Sequence, residues 1–181
     1  MLRLGSFVLF FLFPALVLAG EWQADGMTPA ASGRPGFYSA GISIKDIRFS
    51  LRCEPASRRI SLAVKADHPL AAAELGDRVA KAAAGGGAYD LLINTTAYPR
   101  TARFDPAGAV LLFNEPVGKD GQLLEDLMSE KELVISNRPL RLSFPLAGSR
   151  EVICASLTKC GIVQSGCVAK GLQGEGAGQG S

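Results

Sequence analysis

The chain reads as a mostly antiparallel β-sheet or sandwich of the α+β class, with two or three helices, the last C-terminal and disulfide-tied. Three observations carry that reading. Apolar residues alternate with polar ones in several short runs, which is the period of a half-buried strand. Alanine-rich and leucine-rich segments with helical spacing interrupt those runs. The strands come in groups rather than in strict alternation with helices, which argues against a parallel α/β sheet.

Residues 21–40 form an irregular entry around Trp22, the only tryptophan, and Phe37 and Tyr38 begin a first strand running through Ile42 and Ile44. Ile47, Phe49, Leu51 and Cys53 then alternate with Arg48, Ser50 and Arg52, so the two sets lie on opposite faces of a strand. Ile60, Leu62, Val64 and Ala66 repeat the pattern against Ser61, Ala63 and Lys65. The short Pro-containing loop Glu54–Arg59 joins the two as a hairpin. Over residues 70–84, alanine density and the Leu75–Val79 spacing predict a helix, which Gly85-Gly86-Gly87 stops.

Strands are expected at residues 89–95 and 109–113, separated by turn chemistry at Tyr98-Pro99 and at Asp105-Pro106-Ala107-Gly108. Asp120 is placed to cap a short helix carrying Leu123, Leu124, Leu127 and Met128 on one face. Strands follow at 133–135 and 140–146, the second setting Leu140, Leu142, Phe144 and Leu146 against Arg141 and Ser143. The final helix starts with Ser149 as N-cap and Glu151 favouring the dipole. Val152, Ile153, Ser156, Leu157 and Cys160 form its inward stripe, and Gly161 ends it.

The N-terminus reads as an export signal. Arg3 precedes the apolar run Phe7–Leu18, and the small residues Ala19 and Gly20 then meet Glu21. A membrane-spanning helix needs roughly 20 apolar residues, and this run is shorter and carries Pro14. The expected organisation is a signal peptide at 1–20, one domain over 21–168 and a disordered glycine-rich tail at 169–181. No cysteine follows Gly20 to accept a lipid, so the processed chain is expected to be soluble and periplasmic or secreted, with no transmembrane segment. Asn94-Thr95-Thr96 fits a glycosylation acceptor, which counts only in a eukaryotic host.

Of the 19 Lys and Arg, Arg3 falls in the signal, leaving 18 against 17 Asp and Glu and a net charge of +1. That balance argues against a nucleic-acid partner, which calls for a basic excess. Cys53, Cys154, Cys160 and Cys167 all lie beyond the signal, where an oxidising compartment favours disulfides. On one helix, Cys154 and Cys160 would stand roughly 9 Å apart along the axis, too far to bridge. Two pairings remain, Cys53–Cys160 with Cys154–Cys167 or Cys53–Cys154 with Cys160–Cys167. The apolar positions of Cys53 and Cys160 favour the first, whose long loop gives on the order of 4 kcal/mol in the chain-entropy model.

The segment Phe144-Pro145-Leu146-Ala147-Gly148-Ser149, followed by Val152, Ile153, Leu157 and Cys160, resembles the closing segment of small exported proteobacterial periplasmic proteins of unassigned function. The resemblance implies an exported β-rich domain and a cysteine pair equivalent to Cys53–Cys160. A similar ending occurs in type VI secretion accessory proteins, where tryptophan follows the last cysteine; here Gly161 follows.

Chemistry is sparse. His68 is the only histidine and precedes Pro69, so a capping or turn role is expected of it. The chain shows no Cys-x-x-Cys, Gly-x-Ser-x-Gly or phosphate-binding glycine loop, and we assign no catalytic, cofactor or metal residues. Glu125, Asp126, Glu130 and Glu132 cluster, and a carboxylate-pair hydrolase of the envelope is the alternative they suggest. Arg48, Arg52 and Lys65 share an outward sheet face, with Arg58 and Arg59 near its turn. The expectation is a non-enzymatic envelope interaction module. Its partner would be an anionic envelope component or a periplasmic protein.

Overall fold

Nine strands pair antiparallel into one sheet in the computed structural model, which describes residues 20–30, 36–84, 88–113, 121–129 and 131–167. The expected signal peptide up to Ala19, the triple glycine 85–87, Asp120, Glu130 and the tail at 169–181 lie outside those residues. The strands are β1 (Gln23–Thr28), β2 (Phe37–Ile44), β3 (Ile47–Glu54), β4 (Arg59–Ala66), β5 (Ala88–Ile93), β6 (Thr96–Asp105), β7 (Val110–Phe113), β8 (Glu132–Asn137) and β9 (Leu140–Pro145). The helices are α1 (Pro69–Ala84), α2 (Gly121–Leu127) and α3 (Ser149–Lys159). Across the sheet the order is β1-β2-β3-β4-β7-β6-β5-β8-β9.

The alternating runs become strands because each buries one face. Phe49, Leu51 and Cys53 of β3 and Ile60, Leu62 and Val64 of β4 enter the core, with Phe49 opposite Val64 and Leu51 opposite Leu62. The sheet curls until its ends meet around Phe49, whose ring lies 6.1 Å from Trp22 and 5.5 Å from Phe144. The Trp22 indole Nε1 donates to the Pro145 carbonyl at 2.9 Å, giving its one polar atom a partner inside an apolar cluster. A second aromatic contact, Tyr89 edge-on to Phe113 at 6.0 Å, closes the other side.

Two strands depart from the sequence reading. β1 lies in the supposedly irregular entry, and β6 runs straight through Tyr98-Pro99, which reads as a turn. Proline is tolerated there because only Ala102–Asp105 of β6 pair with β7, leaving Thr96–Thr101 with β5 alone on that side. The chain turns between β5 and β6 at Asn94, whose φ of 58° lies in the left-handed region that asparagine tolerates.

His68 caps α1. Its carbonyl accepts from Ala72 N at 2.8 Å, its Nδ1 accepts from Leu70 N at 3.3 Å, and Pro69 takes the first helical position. Leu75, Val79 and Ala82 are the buried face of α1, as the Leu75–Val79 spacing implies. Leu123, Leu124 and Leu127 bury α2 in the same way.

α3 starts differently from expectation. Gly148 is the N-cap at φ 77°, while the Ser149 hydroxyl donates to the Leu127 carbonyl at 2.7 Å. The left-handed geometry at 148 suits glycine, and the serine is drawn off to satisfy the end of α2. The C-terminus follows the expected glycine stop. Gly161, at φ 67°, donates to Thr158 O and Ile162 donates to Leu157 O, each at 3.0 Å, closing a Schellman motif.

The cysteines form the pairs Cys53–Cys160 and Cys154–Cys167, with Cα separations of 6.3 and 5.4 Å. The first joins the centre of the sheet to the end of α3; the second joins α3 to the short 3-10 turn Ser165–Cys167. Among the described residues no helix is long and apolar enough to cross a membrane.

Candidate interaction surface

The residues on β3 that do not enter the core define the outer face. Cross-strand pairing sets Arg48 between Ser43 and Lys65, Ser50 between Gly41 and Ala63, and Arg52 between Ser39 and Ser61. Two cations directly opposite each other repel, so Arg48 and Lys65 need compensation. They receive it from acids that the sequence reading did not single out. Arg48 Nη2 lies 2.8 Å from Asp25 Oδ2, and Lys65 Nζ lies 3.0 Å from Asp67 Oδ1. The Ser39 hydroxyl donates to the same Asp25 oxygen, and the Arg52 guanidinium stacks 4.9 Å from the centre of the Phe37 ring.

These side chains surround an open groove of about 380 Å³. Its floor holds Ser39 and Ser50, which are only 4% and 3% exposed although they lie on the outer face. Their neighbour Gly41 admits no side chain, since a Cβ there would approach Phe49 O to 2.6 Å. The long side chains of the rim already cover that floor of small residues, so a partner meets the rim rather than the sheet itself. The rim offers both signs, with Arg48, Arg52 and Lys65 set against Asp25 and Asp67.

The structure therefore brings together three of the five expected cations. Arg58 and Arg59 are exposed at the β3–β4 turn, where Glu54 pairs with Arg59, six residues along the strand from Arg48 opposite Lys65. At the rise of a strand that places Arg59 roughly 20 Å from Arg48 and Lys65 but only about 7 Å from Arg52, beyond the residues that line the groove. Arg58 holds a left-handed φ of 51° in the turn itself.

The described members of the carboxylate cluster serve three separate anchors. Asp126 accepts from the Tyr98 hydroxyl at 2.7 Å and from Gln122 Nε2 at 3.0 Å, tying α2 to β6. Glu125 accepts from Gly166 N at 3.2 Å and from the Ser165 hydroxyl at 3.3 Å, holding the 3-10 turn. Glu132 accepts from the Ser143 hydroxyl across β8 and β9. One titration stands out, at Tyr89, where burial pushes the phenol above its ordinary pKa of 10.0.

No protein-family model, curated protein or solved structure matches the chain.

Proposed function

We propose that the protein is a non-enzymatic accessory module of the cell envelope that binds a polar segment of a periplasmic protein along the outer groove of β2, β3 and β4. One observation carries this reading: charged side chains of both signs surround a buried floor of small residues on an otherwise structural sheet. Such a rim offers donors and acceptors to a peptide backbone as well as to charged side chains. The internal pairs Arg48–Asp25 and Lys65–Asp67 neutralise part of the positive field, which favours a protein partner over a uniformly anionic polymer. The apolar leader and the two disulfides support an oxidising, extracytoplasmic setting.

The test is crosslinking in the native envelope followed by mass spectrometry, with the protein carrying Arg52→Ser and Lys65→Ser beside the unaltered chain. Loss of two rim contacts should deplete the captured partner about tenfold. Arg58→Ser with Arg59→Ser, outside the groove, should leave capture intact. Equal recovery with the groove variant would remove this surface from the function.

A further inference from the structure

The far end of the sheet carries a second, independent surface. β9 pairs with β8 along one side, and among the described residues no strand pairs with its other side. A pocket of about 460 Å³ runs along that open edge. Four consecutive β9 residues, Arg141–Phe144, line it and no residue of β8 does, so it follows the unpaired backbone rather than either face. The β2–β3 turn and the first turns of α1 form the opposite wall.

The lining of this pocket mixes apolar and charged side chains. Ile44, Ile47 and Leu142 supply an apolar lining, and Leu70 stands beside them 77% exposed. Leu70 adds one exposed apolar side chain to the rim. Of the charges around it, Arg78 is paired with Glu74 on α1. Lys45 and Arg141 form no ion pair among the described residues and outnumber Asp46.

We infer that this edge docks an extended segment of a partner protein as an added strand, with apolar side chains against Leu70 and Ile47 and a carboxylate facing Lys45 and Arg141. Main-chain hydrogen bonds to a free edge give such recognition its affinity, and the pocket gives it side-chain preference. The excess cation selects an acidic residue in the incoming segment. The site also has a defined length. Pro139 precedes β9 and Pro145 closes it, and neither has an N–H to donate, so the open ladder is confined to residues 140–144. A short peptide fits that span better than a growing sheet of copies.

The experiment titrates the isotope-labelled full domain with a hexapeptide that alternates valine with threonine and carries one glutamate, and with its lysine counterpart. Amide shifts should gather on β9 and the β2–β3 turn, and β9 amides should exchange more slowly with the glutamate peptide bound. Leu70→Glu, at an exposed position, should weaken binding about tenfold, the worth of one buried leucine. Arg141→Glu should reverse the preference toward the lysine peptide, a readout that a folding defect does not produce. Arg52→Ser should change nothing here, which separates this site from the groove. Shifts confined to the groove, no shift with either peptide, or an unchanged preference in Arg141→Glu would each overturn the assignment. Concentration-dependent β9 shifts without peptide would also overturn it, assigning the edge to a second copy of the chain.

Discussion

The two edges of this single sheet are built in opposite ways. At β1 the register with β2 is broken between Asp25 and Thr28, and Asp25 is held by Ser39 and Arg48. α3 packs against β1, β2 and β3, and the Cys53–Cys160 bridge fixes it there. At β9 the register with β8 is unbroken over six pairs, from Glu132–Pro145 to Asn137–Leu140. A pocket of mixed apolar and charged lining then borders the side left unpaired among the described residues. An irregular edge carrying a charge resists strand addition, while a regular one beside an open pocket invites it. Irregularity and a tied helix protect one end, and the other is left able to pair.

The largest expected effect comes from releasing the protected edge. Replacing Cys53 and Cys160 with alanine opens a loop of 107 residues and should cost about 4–5 kcal/mol in denaturant unfolding. Amide exchange should then rise in β1 and β2 before β8 and β9. The same change at Cys154 and Cys167, separated by 13, should cost at most about 3 kcal/mol and loosen only the segment after α3. Equal costs and equal exchange patterns would show that the edges are not stabilised separately.

Trp22→Phe tests the point where the two edges meet. The ring contact with Phe49 is kept, but the Pro145 carbonyl loses its donor. A loss of about 1–2 kcal/mol is expected, with faster exchange at the Pro145 end of β9. An unchanged midpoint would mean that aromatic packing alone holds the curl.

The smallest effect appears only in alkali. Burial raises the Tyr89 pKa, so the unfolded chain releases the phenolic proton first. The stability Tyr89 supports is complete below the ordinary tyrosine pKa of 10.0 and is lost as pH rises beyond it. Tyr89→Phe should flatten the alkaline limb of a stability-against-pH curve and leave neutral stability nearly unchanged. A limb of the same slope in the variant would place the effect elsewhere.

Much of the fold was legible because burial leaves a period in the sequence. β3, β4 and β9 show it at two residues, and α1 through Leu75 and Val79. β1 shows none, since five of its six residues are exposed and the sixth is Asp25, so nothing alternates. β6 was hidden by Tyr98-Pro99, whose turn chemistry is overridden by pairing with β5. Ser149 had the identity of an N-cap but was drawn away by the Leu127 carbonyl, a partner 22 residues distant. At the groove, the shared face of Arg48, Arg52 and Lys65 followed from strand period alone. Asp25 did not, because its role depends on which strand lies beside Arg48; Asp67 stands two residues after Lys65, so its contact is local and the strand period alone could have found it. Leu70 read as one more residue of a helix, and only the approach of β9 and the β2–β3 turn makes it part of a pocket.

The sequence by itself determined the α+β class, the face each main strand buries and the helix stop at Gly161, because these depend on neighbours a few residues apart. It also favoured the Cys53–Cys160 pair, which the structure holds. Tertiary structure alone decided that Asp25 quenches part of the basic face and that β9 keeps an unpaired edge among the described residues. Those outcomes follow from how far one sheet curls, which is set by packing among residues as distant as Trp22 and Phe144.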